Sequence, residues 1–253
     1  MKPHRILCNR WSVALLVLLV IVQKSAMLQA DSAHSLYVGT FSTESPAEAL
    51  PPGWEPLTFQ KVEKHTRYTL VEDDGVVVVK AESSSSASGL VRKIRIDPEE
   101  YPLVSWRWKV ANINKKGDIR TKKGDDYPVR LYITFECDPS GGSFFEKVKY
   151  KAAQLFYGTH SPCEGITYIW DNKAPVGTVA PNPYTDRVMM IVVESGNAKL
   201  NTWVQEERNI LEDYRNAFEG KPSMISGVAI MTDTDNTKES AVSYYGDIVF
   251  KKE

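Results

Sequence analysis

Histidine and cysteine are scarce in this sequence, four and three among 253 residues. His34, His65 and His160 have no close-spaced histidine partner, and HExxH, Cys/His clusters, GxSxG and the P-loop are all absent. Zinc hydrolysis and Ser-His-Asp acyl transfer therefore lack their residues. Positive charge is not in surplus, with 31 Lys/Arg against 32 Asp/Glu, so nothing in the charge recommends nucleic acid as a partner. No internal repeat, long linker or second composition regime breaks the chain. The longest charge-free apolar run, Trp11 to Val22, is shorter than the roughly 20 residues a membrane helix needs.

That run follows Lys2, Arg5 and Arg10 and precedes Ala30, which is the pattern of an export signal over residues 1–30. The protein is expected in the periplasm or outside the cell, with no stable membrane span once the signal is removed. Residues 31–49 are rich in Ser, Ala and Glu and read as a flexible leader; residues 50–253 read as one domain. Beyond residue 30 the formal charge is −5, from 27 basic and 32 acidic residues. Cys137 and Cys163 remain, in a compartment where a disulfide persists. The spacing leaves both a bridge and two free thiols open.

The domain is dominated by strand patterns. TRYTLVED and GVVVVKAES flank Asp74-Gly75, a strong hairpin turn. In YPLVSWRWKV, Val104, Trp106, Trp108 and Val110 alternate with Ser105, Arg107 and Lys109. In YPVRLYITF, Val129, Leu131, Ile133 and Phe135 alternate with Arg130, Tyr132 and Thr134. Such half-buried alternation belongs to antiparallel sheets. Helical spacing appears twice, in SFFEKVKYKAAQLFYG and in EERNILEDYRNAFEG, the latter ending at Gly220. The fold class is mainly β: an antiparallel β-sandwich with two short helices.

The blocks LPPGWEPLTF, YPLVSWRWKV, GDDYPVRLYITF, TYIWDN, EDYRNAF and GVAIMTDTDNT…YYGDIVF resemble the DUF3047 family of exported bacterial proteins of unknown function. The resemblance spans most of residues 50–251 and implies export and no established activity. In architecture the pattern also resembles jelly-roll sandwiches of the carbohydrate-binding-module and concanavalin kind, a likeness that does not give function.

Candidate site residues follow from residue type and place. Arg107, Arg130 and Tyr132 lie on polar strand faces, where a guanidinium can hold a carboxylate in a two-pronged pair. Asp126 sits in the polar connection before Arg130. Asp213 and Arg215 lie on the second helix, with Arg187 or Arg130 as the expected partner of Asp213. Trp106 and Trp108 read as core, whereas Trp170, at a strand end before Asp171-Asn172, reads as an exposed aromatic for a sugar ring. DTDNT is not an EF-hand loop, because Lys238 and Tyr244 stand where Gly and Glu are needed. The metal expectation is a looser structural calcium held by Asp233, Asp235 and Asp247, against a polar turn as the alternative; no organic cofactor is expected. The leading functional reading is an exported sandwich that binds a glycan or another cell-envelope ligand. The alternatives are a polysaccharide lyase or glycoside hydrolase built on Asp126, Arg130, Asp213, Arg215 and Asp233, and a structural envelope protein.

Overall fold

The computed structural model describes residues 34–137, 162–218 and 220–253, and its compact unit runs from Tyr37 to Glu253. The signal segment and the helix expected over 143–158 lie outside the described residues. Among the described residues, thirteen strands form two sheets, and one α-helix lies in one of the connections between them. The first sheet holds β1 (Ser35–Gly39), β3 (Arg67–Asp73), β4 (Val76–Ser84), β6 (Leu103–Val110), β11 (Val204–Asn209) and β13 (Ser240–Lys251). Its order is β11-β6-β13-β4-β3, with β1 also pairing β13. The second holds β2 (Glu55–Leu57), β5 (Ala87–Ile96), β7 (Arg130–Glu136), β8 (Pro162–Asp171), β9 (Val179–Asn182), β10 (Thr185–Ser195) and β12 (Ile225–Asp233), in the order β2-β5-β12-β7-β8-β10-β9.

The β-sandwich read from the alternation is what forms. β3 and β4 close as a hairpin on Asp74 (φ 52°) and Gly75 (φ 77°), both left-handed as a primed turn requires. One pairing departs from the antiparallel expectation: β10 runs parallel to β8. No long crossover is needed, because β9 returns the chain along the sheet edge before β10 slots between.

Two of the several places where the chain changes sheet, from β4 to β5 and from β12 to β13, lie side by side. The two crossings are tied by hydroxyls: Ser83 Oγ lies 2.7 Å from Thr234 Oγ1, and Ser83 Oγ lies 2.9 Å from Ser86 Oγ. Between the sheets, Trp106 of β6 stacks on Tyr168 of β8 with ring centroids 5.0 Å apart, and Trp108 meets Trp106 edge-on at 5.3 Å. Val104, Trp106, Trp108 and Val110 are all buried, as are Leu131, Ile133 and Phe135 from the facing sheet. Tyr245 of β13 donates to the Met231 carbonyl of β12 at 2.6 Å, so even the polar atoms in the gap link one sheet to the other.

These contacts fix which face is which. Leu131 pairs in register with Tyr168, so both point inward, and Arg130 and Tyr132 point outward from the second sheet. Arg107, between Trp106 and Trp108, points outward from the first. The two arginines therefore lie on opposite sides of the sandwich and cannot line one surface.

The flexible-leader reading of 31–49 does not hold from residue 35 onward. Residues 35–39 form a strand, Val38 and Phe41 are buried, and Ala47 bridges to Leu70. Apolar side chains scattered among Ser and Glu are sufficient for this where a sheet offers its edge. The helix α1 (Ile210–Ala217) starts where Asn209 accepts from the N–H groups of Leu211 and Glu212, and it buries Ile210 and Tyr214. It ends before Gly220, because Phe218 is already extended. Cys137 and Cys163 form a disulfide across 26 residues, with Cα atoms 4.9 Å apart. On the chain-entropy estimate a loop of that length stabilises by about 3.5 kcal/mol.

Candidate functional site

The segment 111–129, between β6 and β7, folds back over the outer face of the second sheet. Ile119 and Tyr127 pack there on Ile169, Met190 and Val192. The fold-back is tight: a Cβ on Gly124 would stand 2.5 Å from the Asp118 nitrogen. Asn114 Nδ2 donates to the Asp233 carbonyl at 2.9 Å, which pins the segment to the end of β12.

Under this cover Arg130 is buried with every N–H engaged. Nε donates to Asp233 Oδ1 at 2.9 Å and Nη2 to Asp233 Oδ2. Nη2 also donates to the Asp125 carbonyl at 2.6 Å, while Nη1 donates to Asp125 Oδ1 at 3.2 Å and to Tyr132 Oη at 3.3 Å. The guanidinium carbon lies 4.4 Å from the Tyr127 ring centroid. A guanidinium has five N–H donors, and all five are used. Burial works against its charge, and the carboxylates of Asp125 and Asp233 more than reverse that. Burial likewise pushes the Asp233 carboxyl up to about 7, with Arg130 opposing the shift and Asp126 and Asp125 adding to it; the two-pronged geometry is that of a carboxylate with a guanidinium. Burial pushes Tyr132 up to about 12, so its phenol stays neutral. Arg130 is thus a positioning residue with no donor left for a ligand.

What it positions reaches the surface. Asp125 Oδ2 accepts from Asn182 Nδ2 at 3.2 Å. Asp126 accepts from the Asn236 backbone at 3.2 Å and from Asn236 Nδ2 at 3.1 Å, and its second oxygen takes the Thr237 N–H. Asn236 Oδ1 in turn accepts from Tyr184 Oη at 3.0 Å. Tyr184 is 56 % exposed. It stands on the rim of an open cleft of about 580 Å³ lined by Ile119, Arg120, Ala180, Pro181, Asn182 and Tyr184, among others.

The residues singled out from sequence are divided by this geometry. Asp126, Arg130, Tyr132, Asp233 and Asp235 come together. Trp170 does not bind at the surface: it is fully buried, paired in register with Glu194, and its indole N–H donates to the Gly196 carbonyl at 2.9 Å. Asp213 pairs with neither Arg187 nor Arg130. It is buried against Arg208 and accepts from Tyr168 Oη at 2.8 Å, because β11 runs directly into α1. Arg215 is exposed on the same helix. The lyase or hydrolase set therefore does not converge in one cleft. Asp247 leaves the metal set, because it accepts from the Ser42 N–H at 2.9 Å and from the Ser42 hydroxyl.

Asp126 takes the place of Asp247. One oxygen each of Asp126, Asp233 and Asp235 lies within 4.8 Å of the others. The fit to calcium is poor on one count: Arg130 holds both oxygens of Asp233 and supplies the positive charge that a cation would bring. Sequence reasoning passed over Tyr127, Asn182 and Tyr184. The signal for the last two was present in PNPY, a turn-forming string that carries an aromatic.

The family described as "Protein of unknown function (DUF3047)" matches residues 52–249. The chain belongs to this family. No curated protein matches this DUF3047 chain. Among solved structures it is similar to the family 11 carbohydrate-binding module of cellulase Lic26A-Cel5E of Clostridium thermocellum. The identity is 10%, with 86% of this chain and 95% of that chain covered, at a TM-score of 0.42. It is also similar to the family 30 module of cellulase Cel9D-Cel44B of Clostridium thermocellum, at 9% identity, 87% and 98% coverage and a TM-score of 0.39. The Emp47p carbohydrate recognition domain aligns at 11% identity, 87% and 95% coverage and a TM-score of 0.41. At such scores the likeness bears on neither ligand nor site.

Proposed function

We propose that the protein is exported and binds a glycan of the cell envelope in the cleft beside Tyr184. The observation that carries this is an exposed aromatic ring held at the rim of an open cleft by a chain of hydrogen bonds: Tyr184 to Asn236, Asn236 to Asp126 and Asp125. An aromatic face stacks on the apolar face of a sugar, and Asn182 and Arg120 add hydrogen-bonding groups beside it. A site fixed in advance loses little entropy on binding. The Cys137–Cys163 disulfide supports an oxidising compartment, and so export. Binding without catalysis is favoured because Asp186 is the one carboxylate that lines the cleft, while Asp125 and Asp126 behind it are already committed to Arg130, Asn236 and Thr237, and glycoside hydrolysis needs two carboxylates.

The test is affinity electrophoresis and calorimetry against a panel of neutral envelope and plant polysaccharides. The wild-type protein binds at least one, and Tyr184→Ala weakens that binding about tenfold or more, as expected for a central aromatic anchor. Folded wild-type protein that binds no member of the panel, or Tyr184→Ala binding as tightly as wild type, defeats the reading.

A further inference from the structure

The opposite face of the sandwich carries a second arrangement that the cleft does not explain. On the outer face of the first sheet, the Arg107 guanidinium lies over the Trp203 ring with its carbon 4.6 Å from the centroid. Beneath it is Gly246 of β13: a Cβ there would stand 2.5 Å from Arg107 Cγ and 2.6 Å from its Nε. Arg107 is therefore held flat between an indole and bare backbone. Trp203 is itself fixed, its indole N–H donating to Asp73 Oδ2 at 2.8 Å. Lys109 Nζ lies 4.8 Å from the Tyr244 ring centroid, and Tyr244 lies 6.4 Å from Trp203, ring to ring.

The charges on this face are matched with one exception. Lys109 pairs with Asp73, Lys80 with Glu82, Lys251 with Glu207, and Arg67 with Glu48 and Glu82. Arg107 has no hydrogen bond and no ion pair among the described residues, although its neighbours immobilise it. Its situation is the reverse of that of Arg130. A pre-ordered guanidinium with free N–H groups, stacked on one indole, matches a carboxylate borne on a pyranose: the fork takes the two carboxylate oxygens, and the Trp203–Tyr244 pair beside it offers apolar edge to the sugar.

We propose that this face is a second binding surface, whose occupant is an acidic polysaccharide of uronate units, with Arg107 holding one carboxylate. The surface is independent of the Tyr184 cleft, from which both sheets separate it. Nucleic acid does not fit, because phosphate tracking needs many unpaired cations and this face offers one among its described residues.

The experiment uses the whole protein with two probes, polygalacturonate and the same polymer with its carboxylates methyl-esterified. The wild type is retarded by polygalacturonate and not by the ester, and the retardation weakens as salt is raised. Arg107→Gln lowers the affinity about tenfold or more. Arg107→Lys, which keeps the charge and loses the fork, lowers it several-fold. Tyr184→Ala leaves polygalacturonate binding unchanged, which separates this site from the cleft. Thermal melts check that each variant is folded. Equal binding of acid and ester, wild-type affinity in Arg107→Gln, loss of polygalacturonate binding in Tyr184→Ala, or no binding by the wild type each overturns the proposal. Neutral-glycan binding lost only in Tyr184→Ala bears on the cleft and leaves this proposal standing.

Discussion

Arg130 and Arg107 sit on equivalent polar faces of two strands with the same alternation, yet their surroundings are opposite. Arg130 is covered by the segment 111–129 and spends all five N–H donors on Asp125, Asp233 and Tyr132. Arg107 is covered by one indole and forms no hydrogen bond among the described residues. A buried guanidinium has to be satisfied within the protein, because an unpaired buried charge is costly. A half-buried one can stay open to a ligand at little cost. The difference arises from the connections and not from the strands: a long return segment lies over one face, and a single tryptophan loop over the other.

The most direct way to break this contrast is Asp233→Asn, which keeps the shape and removes the charge that faces Arg130. Losing one partner of a buried ion pair costs about 3–5 kcal/mol. At roughly 2–4 °C per kcal/mol for a domain of this size, the melting temperature falls by about 10 °C. Arg107→Gln, on the other face, shifts stability by less than about 1 kcal/mol, as expected for a partly exposed charge with no partner. Scanning calorimetry of the two variants side by side decides the matter. Equal and small effects would mean that the buried pair is not ionised.

How much of this was legible depends on which force sets each feature. Alternation gave the directions of Trp106, Arg107, Arg130 and Leu131, because the two-residue period of a strand is a local property. It did not show which outward face would be covered, since that follows from where 111–129 lies. Trp170 looked exposed because Asp171-Asn172 reads as a strand end. The parallel pairing with β10 places it inside, opposite Glu194. Asp247 looked available beside Asp233, but an N-terminal segment read as loose brings Ser42 to it. Asp126 and Asp233 share the enzyme set, but only Asp233 stands in the metal set. Their meeting depends on a loop and a strand end more than 100 residues apart in sequence.

The gap between the sheets holds a third setting for charge, and sequence gave no hint of it. EERN reads as the opening of the second helix, yet it belongs to β11, whose register opposite β6 turns Glu206 toward Trp106 and so toward the inside. Burial first, and Glu194 next, push the Glu206 carboxyl up to about 7, while Lys199 and Arg208 oppose the shift. The folded state therefore prefers the protonated form more than the unfolded state does. Below about pH 4.5 both states are protonated and no penalty arises; the penalty grows as pH rises to about 7 and is complete above it. Allowing for solvent screening of a partly exposed group, the loss is about 1–2 kcal/mol. Glu206→Gln removes that slope and is more stable than wild type at pH 8, with little difference at pH 4.5. Denaturant titrations at the two pH values measure this, and parallel pH profiles for the two proteins would rule it out.

The smallest expected effect is the response to calcium, and it tests the Arg130 side directly. Asp126, Asp233 and Asp235 have the spacing of a cation site, but calcium takes six to eight oxygens and tolerates no guanidinium among them. Asp233 gives both oxygens to Arg130, and Asp126 gives its two to the Asn236 and Thr237 N–H groups. Only Asp235 keeps most of its lone pairs. Millimolar calcium, or EDTA in its place, is therefore expected to move the melting temperature by less than about 1 °C. A ligand present at 100 times its dissociation constant and bound only by the native state stabilises by about 2.7 kcal/mol, which would appear as a rise of several degrees. A rise of that size would mean that a cation displaces Arg130 from Asp233. The contrast between the satisfied and the open arginine would then hold only in the absence of metal.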